Sequence, residues 1–444
     1  QEASGIVSYN HENGQYYTHR GLGHVADNFG RDDVIKQLPG ACSIGHNRYA
    51  TTGDTILRNV QPLFAELSFG GFAVCHNGNL TNSIDLRKRL VKRGCIFQST
   101  MDTETIIHLV AISEQTSVVD RIIDATLQIE GAYSFLAMTD TALVGVRDPH
   151  GVRPLILGQL DGAYLLTSET CALDIIGADY IRDIDPGEMV VITESGIQSI
   201  KPFPKQKHRF CIFEYIYFAR PDSVLEGKSV YDARTRIGAE LSRESSVEAD
   251  VVIPVPDSGV PAAIGYAHES GIPFELGIIR NHYVGRTFIE PTDNIRHLGV
   301  KLKHNANRAI IEGKRVILVD DSIVRGTTSR KIVEMVRRAG AAEVHMRISS
   351  PPTAHPCYYG IDTPEKEELM ASRFDLAGMA REIGVDSLAY ISMDGLYRAM
   401  GEASRNNESP QFCDACFSGE YPITVFDRKS GKAPAQLSLL SERS

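Results

Sequence analysis

The chain has 444 residues, of which 46 are basic and 56 acidic, so its formal net charge is −10. This length indicates two domains, and the acidic balance argues against a general nucleic-acid-binding protein. The sequence contains no apolar run long enough to span a bilayer, and its eight cysteines are scattered, which predicts a soluble, cytoplasmic protein rather than a disulfide framework.

The first 205 residues predict a sheet-rich α+β domain, because short apolar segments alternate with turn residues. One helix is predicted from Asp102 to about Ser113. Prolines and lysines in Lys201–His208 mark the domain boundary. The predicted strands are Gly5–Tyr9, Cys42–Gly45, Gly70–His76, Ala132–Thr139, Ala142–Arg147, Ala163–Ser168 and Glu188–Thr193.

Residues 206–421 have a different pattern, in which strands alternate with helices. This order predicts an α/β domain with a parallel, doubly wound sheet. The predicted strands are Ala249–Val255, Phe274–Ile279, Val316–Val319 and Glu343–Ile348, and a helix at Ser329–Ala339 joins the last two. Residues 422–444 form a polar tail with weak periodicity, for which we expect partial disorder.

The stretch Lys314–Arg330, KRVILVDDSIVRGTTSR, has the pattern of an anion-binding site. An apolar strand leads into Asp320 and Asp321, and the residues from Gly326 to Ser329 then open a helix, whose N-terminus favours phosphate. Alone, two adjacent acids more often form a turn and a helix cap. Followed by this loop, they become candidate hydroxyl acceptors and Mg²⁺ ligands.

This stretch resembles the phosphoribosyl pyrophosphate (PRPP) motif of type I phosphoribosyltransferases. The resemblance implies that Asp320 and Asp321 hold the ribose hydroxyls and Mg²⁺. The 5-phosphate cradle that it implies consists of Arg325, Gly326, Thr327, Thr328 and Ser329. The tetrapeptide Pro256, Asp257, Ser258 and Gly259, which alone would be an ordinary tight turn, resembles the pyrophosphate loop of that family, with Ser258 near the metal.

A third segment, Arg280–Pro291, contains Arg280, Tyr283 and Arg286 as candidate PRPP-binding residues. Its chemistry alone slightly favours a solvated basic loop. The alternative is a mobile lid that excludes water from a reactive glycosyl centre.

Three polar segments in the first domain carry a second set of candidate residues: HNRYATTG at His46–Gly53, HNGN at His76–Asn79 and STMDTE at Ser99–Glu104. Each alone is a polar loop. In this order they are similar to the glutaminase domain of class II amidotransferases, which has an N-terminal-nucleophile hydrolase fold. In that role Arg48 clamps the carboxylate of glutamine and Asp102 pairs with its ammonium group. Asn77 and the Gly78 N–H stabilise the oxyanion formed when a thiolate attacks the amide.

Both halves together, with RDPHGVRPL at Arg147–Leu155 and FEYIYFARPDS at Phe213–Ser223, resemble the amidophosphoribosyltransferases. The resemblance implies that glutamine-derived ammonia displaces pyrophosphate from PRPP to give 5-phosphoribosylamine, the first step of purine (IMP) biosynthesis. It also implies a homodimer or homotetramer inhibited by purine nucleotides. Members of this family use an N-terminal cysteine as nucleophile, whereas the sequence begins at Gln1. We therefore expect the chain as written to use free ammonia only.

Four cysteines form a candidate metal site, although the CxxC pair Cys413 and Cys416 alone is also compatible with zinc, a redox pair or bystander thiols. The contexts FCIFEY around Cys211, HPCYYG around Cys357, and CDAC resemble the iron–sulfur subset of the family. The resemblance implies a structural [4Fe–4S] cluster on all four cysteines, which would tie the C-terminal segment to the transferase domain.

Two other functions compete with this assignment. A regulatory protein could bind PRPP without turnover, which retained ammonia-dependent activity would exclude. A sugar-phosphate amidotransferase would share the glutaminase half but would lack VDDSIVRGTTS.

Overall fold

A computed structural model of the chain describes residues 2–49, 56–281 and 304–429. The chain forms two compact units. The first consists of Gln1–Phe210, Cys357–Asp362 and Tyr421–Ser444, and the second of Cys211–Pro356 and Thr363–Glu420. Across the described ranges, no helix has both the length and the apolar character needed to cross a membrane. The sequence analysis placed the boundary after residue 205 and did not assign residues 357–362 to the first unit.

The first unit is built on antiparallel sheets with the strand orders β2-β1-β3, β12-β11-β7-β6-β5-β4 and β10-β8-β9. Its strands are β1 (Ala3–Asn10), β2 (Gln15–Leu22), β3 (Cys42–Arg48), β4 (Leu63–Leu67), β5 (Gly70–Leu80), β6 (Gly131–Met138), β7 (Leu143–Arg147), β8 (Ile156–Leu160), β9 (Ala163–Thr167), β10 (Asp179–Asp183), β11 (Met189–Thr193) and β12 (Gly196–Ile200). The α+β class predicted for this half is confirmed.

Helices accompany these sheets along the first part of the chain. They are α1 (Val25–Phe29), α2 (Asp32–Lys36), α3 (Ser83–Lys92), α4 (Thr103–Ile112), α5 (Val118–Thr126) and α6 (Thr170–Ile176), with a 3₁₀ turn at Leu57–Asn59. Successive side chains of a strand point to opposite faces of its sheet. Accordingly, Phe72 and Val74 of β5 pack against α3, α4 and α5, while Ala73 and Cys75 pack against β1 and β3.

The second unit contains a parallel sheet with the strand order β16-β19-β20-β21, which confirms the α/β prediction. The strands of this half are β13 (Phe210–Cys211), β14 (Val224–Leu225), β15 (Lys228–Ser229), β16 (Val251–Pro254), β17 (Ile278–Arg280), β18 (His304–Ala306), β19 (Arg315–Asp320), β20 (Glu343–Ile348), β21 (Ser387–Tyr390) and β22 (Phe412–Cys413). The buried sheet residues are mostly Val, Ile, Leu and Met, as expected for a parallel sheet.

The helices of this half connect and cover the strands. They are α7 (Val230–Glu244), α8 (Val260–Ser270), α9 (Arg308–Ile311), α10 (Thr327–Arg338), α11 (Met370–Arg373), α12 (Leu376–Ile383), α13 (Met393–Ala399) and α14 (Ala415–Ser418), with a π-helical segment at Glu214–Phe218 and a 3₁₀ turn at Lys366–Glu368. The last helix, α15 (Phe426–Lys429), belongs to the first unit. Residues 430–444 of the predicted tail lie outside the described residues.

The predicted strand Phe274–Ile279 is wrong as a single element of the parallel sheet. Phe274 forms one parallel bridge with Val252, but Ile278–Arg280 pairs antiparallel with β18. The chain turns between them, where the Gly277 N–H donates to the carbonyl oxygen of Glu275 at 3.0 Å. A short apolar run does not reveal such a turn, because periodicity alone cannot locate it.

Candidate functional site

The two predicted phosphate loops follow neighbouring parallel strands. Strands β16 and β19 are paired from Val251 and Val316 to Pro254 and Val319, so both end at the same edge of the sheet. One residue after the end of β16, the Val255 N–H donates to the carbonyl oxygen of Val319 at 2.9 Å. The PDSG loop and the acidic pair therefore emerge side by side, where ligands bind in open α/β sheets.

The glycine at the end of the PDSG loop permits this close approach. A Cβ atom added at Gly259 would collide with the carbonyl oxygen of Val319 and would lie 2.9 Å from that of Val255. The peptide bond between Pro256 and Asp257 is cis. Helix α8 then begins at Val260 with a proline in its first turn. The loop is therefore held between the end of β19 and the start of a helix.

Asp320, the last residue of β19, and the following Asp321 are both buried, with 7% of each residue exposed. The backbone N–H of Asp321 donates to the carboxylate of Asp320 at 2.9 Å, and the Ser322 hydroxyl donates to that of Asp321 at 2.5 Å. Burial, followed by the negative charge of Asp321, raises the pKa of Asp320 well above its usual range. A hard divalent cation would favour the ionised pair, so this donor set fits Mg²⁺.

The loop after the acids ends at the N-terminus of helix α10. Gly326 has a positive φ of 78°, and the helix begins at Thr327, as the sequence predicts to within two residues. Among the described residues, no side chain caps this helix. The first N–H groups of a helix have no intrahelical partner, so they can bind an anion such as a phosphate. The loop backbone is fixed from outside by the Met370 N–H, which donates to the Val324 carbonyl at 2.8 Å.

Two of the predicted PRPP-binding arginines form ion pairs in this structure. Arg325 donates to Glu368 at 3.0 Å, and Arg280 donates to Asp257. Exposed ion pairs of this kind contribute roughly 0–1 kcal/mol, so a phosphate could replace either carboxylate at little cost. Tyr283 and Arg286 of the predicted lid lie outside the described residues.

In the first unit, strand β5 carries the HNGN motif. Asn77 lies opposite Ser134 of β6, and Gly78 lies opposite Tyr133. Gly78 has a φ of 137°, which only glycine adopts readily, and a Cβ atom there would lie 2.9 Å from the Cα of Tyr133. The backbone at Gly78 therefore has a conformation that other residues would disturb.

The two residues predicted to bind glutamine are both buried. Arg48 is 2% exposed and donates to the carbonyl oxygen of Asn59 at 2.6 Å and to the Met101 sulfur at 2.9 Å. The neighbouring Asp102 caps helix α4 through the Thr103 N–H at 2.8 Å and accepts the Leu80 N–H at 2.9 Å.

The charge state of Asp102 is set by opposing effects. Burial acts to raise its pKa, but nearby His76 and the backbone donors outweigh burial, so the pKa lies below its usual range. Asp102 is therefore a carboxylate at neutral pH, as pairing with an ammonium group requires.

Two features near the HNGN motif were not assigned from the sequence. The guanidinium of Arg153 donates to the Asn77 side-chain oxygen at 3.1 Å. The segment at residues 357–362 packs on the motif: Asn79 donates to the Tyr358 carbonyl at 3.0 Å, and a Cβ at Gly360 would lie 2.7 Å from the Gly78 Cα. The RDPHGVRPL motif is a signal for the first feature. No sequence pattern indicates the second.

The four predicted cluster ligands are distributed over both units. Cys211 and Cys413 end the paired strands β13 and β22, where the Ile212 N–H donates to the Cys413 carbonyl at 3.1 Å. Cys416 lies in the following helix, α14, and Cys357 belongs to the first unit. In the part of the chain that the structure describes, no three His, Cys, Asp or Glu side chains are arranged to hold a metal ion.

Comparison with known proteins assigns both halves to families. The glutamine amidotransferase domain family matches residues 46–174, and the phosphoribosyl transferase domain family matches residues 221–356. The amidophosphoribosyltransferase of Rhizobium etli is 56% identical over 447 residues, which cover 99% of this chain and 90% of that protein. The chain belongs to the amidophosphoribosyltransferase family.

Other members of this family support the same assignment. The chloroplastic amidophosphoribosyltransferase 1 of Arabidopsis thaliana is 51% identical over 424 residues, which cover 95% of this chain and 74% of that protein. A solved structure of glutamine PRPP amidotransferase from Bacillus subtilis, complexed with ADP and GMP, is 46% identical. It has a TM-score of 0.89 and covers 96% of this chain and 92% of that one.

The predicted fold and function are thereby confirmed. The chain is a glycosyltransferase of the phosphoribosyltransferase class with a glutamine amidotransferase domain, and it acts in the first step of purine biosynthesis. The iron–sulfur cluster, the bound Mg²⁺ and the individual site residues stay predictions.

Replacing Asp320 by Asn should raise the free energy of unfolding at pH 7, in the absence of ligands, by about 1–3 kcal/mol, because it removes a buried charge. The pKa of Asp320 is raised in the folded state, so the unaltered protein loses stability as the pH rises above the pKa that Asp320 has in the unfolded chain. Below about pH 4 the stabilisation by Asp320→Asn should disappear, because Asp320 is then protonated in both the folded and the unfolded protein. Urea unfolding at the two pH values measures the difference.

Asp250→Asn provides the control, because the pKa of Asp250 is lowered by hydrogen bonds from Arg315. Its carboxylate stabilises the fold above the unfolded pKa, so this substitution should destabilise the protein at pH 7. A loss of stability in the Asp320 variant at pH 7, or a gain that persists unchanged in acid, would contradict the burial argument.

Proposed function

We propose that the two units carry out successive halves of one reaction. With the N-terminal cysteine that the family uses as nucleophile, the first hydrolyses glutamine with water to glutamate and ammonia. The second adds that ammonia, or free ammonia, to C1 of PRPP, giving 5-phosphoribosylamine and pyrophosphate. The observation that supports this most strongly is the position of the PDSG loop and of Asp320 and Asp321 at one edge of the parallel sheet. Such an edge can hold the phosphate groups and the ribose hydroxyls of one ligand together.

In the second unit, we assign each loop to one part of PRPP. The N–H groups from Gly326 to Ser329 bind the 5-phosphate, and the PDSG loop binds the pyrophosphate. Asp320 and Asp321 accept hydrogen bonds from the ribose hydroxyls. When bound, Mg²⁺ held by Ser258, Asp320 and Asp321 would offset charge on the departing pyrophosphate. Arg280 and Arg325 exchange their carboxylate partners for phosphate oxygens.

In the first unit, we assign Arg48 to the glutamine carboxylate and Asp102 to the ammonium group. Asn77 and the Gly78 N–H donate to the oxyanion as the amide is attacked. These donors contribute most when they are fixed before the reaction, and both lie in the half-buried part of strand β5, paired with β6. The ammonia formed must avoid bulk water, where protonation would remove its lone pair.

We extend the proposal to assembly, regulation and location. The B. subtilis enzyme was solved with ADP and GMP, which supports purine nucleotides as feedback inhibitors of this chain. A homodimer or homotetramer in the cytoplasm is consistent with this role.

We also propose a [4Fe–4S] cluster on Cys211, Cys357, Cys413 and Cys416. The sequence contexts of the four cysteines support it, as does the ladder between the strands that carry Cys211 and Cys413. A four-iron cluster is larger than a single ion and holds its thiolates further apart. The four cysteines therefore need not lie as close together as the ligands of a single metal ion.

Pyrophosphate release tests the transferase assignment. With PRPP, Mg²⁺ and ammonium, the protein should release pyrophosphate, and Asp321→Ala should lower kcat/KM by at least about 100-fold because a buried ligand-binding charge is lost. Glu343→Gln is the matched control, since Glu343 starts β20 at the opposite edge of the same sheet. Tight PRPP binding without pyrophosphate release would instead favour a regulatory protein.

Iron and sulfide analysis tests the cluster. Protein purified without oxygen should contain about four iron and four sulfide atoms per chain, and Cys416→Ser should lose them. Cys95→Ser, which alters a cysteine beside the core of the first unit, should retain them. Zinc without iron in the unaltered protein would contradict the proposal, as would full iron content in Cys416→Ser.

A further inference from the structure

A buried arginine lies directly behind the predicted oxyanion hole. Arg153 is 1% exposed, and its Nη2 donates to the Oδ1 of Asn77 at 3.1 Å. We propose that Arg153 is a positioning residue for glutamine hydrolysis, which acts by orienting the side-chain amide of Asn77. This inference rests on the proposed role of Asn77 as an oxyanion donor.

The hydrogen-bonding groups of the two side chains determine the orientation of the amide. A guanidinium has donors and no acceptor, whereas an asparagine amide has an oxygen on one side and an NH₂ group on the other. The oxygen of Asn77 must therefore face Arg153, and the NH₂ group must face away from it. Without Arg153, the amide could rotate by half a turn and present its oxygen to the oxyanion, which would repel it.

The backbone around Arg153 is fixed to the strand that carries Asn77. Asn77, Ser134 and Arg147 lie in one row across β5, β6 and β7. The carbonyl oxygen of Arg153 accepts the Ser134 hydroxyl at 3.3 Å and the Arg147 Nε at 2.8 Å. Because the same row holds both Arg153 and Asn77, their separation is set by the sheet.

The turn before Arg153 gives a second constraint. The Asp148 carboxylate is fully buried and accepts the N–H groups of His150 at 2.9 Å, Val152 at 2.9 Å and Arg153 at 3.3 Å. The RDPHGVRPL motif therefore folds around one carboxylate, and the side chain of its second arginine reaches Asn77.

The charge of Arg153 adds to the geometric effect. The guanidinium carries a positive charge, and its hydrogen bond to Oδ1 draws electron density from the amide. The NH₂ group of Asn77 then becomes a stronger donor to an oxyanion, because linked hydrogen bonds polarise one another. Arg153 needs no contact with the substrate for this effect.

A double-mutant cycle in protein that carries the N-terminal cysteine nucleophile of the family tests the inference. Arg153→Met should lower kcat for glutamine hydrolysis by about 10- to 100-fold, with KM for glutamine nearly unchanged, since oxyanion donors act mainly in the transition state. Ammonia-dependent pyrophosphate release should be unaffected. In the Asn77→Ala background, the additional effect of Arg153→Met should shrink to less than about twofold.

Arg147→Met is the matched control. Arg147 is equally buried and lies in the same row of strands, but its side chain donates hydrogen bonds to the backbone carbonyls of Gly151, Arg153 and Ile184. The substitution should therefore lower the midpoint of thermal unfolding. Because Arg147 also holds the Arg153 carbonyl, a loss of kcat in this variant should accompany its loss of stability, whereas Arg153→Met should lower kcat in protein that stays folded at the assay temperature.

The possible outcomes distinguish an error in the oxyanion role of Asn77 from an error in the positioning role of Arg153. If Asn77→Ala leaves glutamine hydrolysis intact, the proposed oxyanion role is wrong. If Asn77→Ala lowers kcat for glutamine hydrolysis but Arg153→Met has no effect, or lowers kcat by the same factor in both backgrounds, only the positioning role is wrong. If Arg153→Met does not fold, Arg153→Lys replaces it in the cycle, because lysine keeps the charge but not the planar guanidinium. Its effect on kcat should be smaller and should likewise depend on Asn77.

Discussion

The transferase site depends on the backbone pairing between strands β16 and β19. This register places the end of the PDSG loop against the end of β19, where the absence of a side chain at Gly259 leaves space for the Val319 carbonyl. If β19 were shifted by one residue in its pairing with β16, every side chain of β19 would point to the other face of the sheet. Asp320 would then lose its place beside the helix N-terminus that opens at Thr327.

Two buried carboxylates show how the same chemical group is used in different ways. Asp102 is stabilised as an anion by His76 and by backbone N–H groups, so its charge is already compensated in the fold. Asp320 is buried beside a second acid, and both effects raise its pKa. The cost of holding Asp320 ionised is offset only when a cation binds, which couples the charge of the site to its ligand.

The sequence was sufficient for the parts of the structure that follow from local patterns. The apolar run before Asp320, the glycine at 326 and the helical spacing after it predict a strand, a loop and a helix, and the structure contains all three. The helix after Asp102 was predicted for the same reason. The turn at Gly277 was missed, because an apolar segment of this length does not show where it leaves the sheet.

Contacts between distant parts of the chain could not be predicted in this way. Asn79 and Tyr358 are 279 residues apart, and their hydrogen bond depends on the packing of residues 357–362 in the first unit. The bond from Arg153 to Asn77 spans 76 residues and exists because three strands align. Spacing within the sequence carries no information on either contact, since both arise from tertiary structure.

Calorimetric titration of PRPP in the presence and absence of Mg²⁺ tests the central claim most directly. If the two loops form one site for a metal-bound, doubly phosphorylated ribose, PRPP should bind at least about tenfold more tightly with Mg²⁺, a gain of about 1.4 kcal/mol. Ribose 5-phosphate, which lacks the pyrophosphate, should show little of this dependence. Equal affinity for PRPP with and without Mg²⁺ would contradict the shared site.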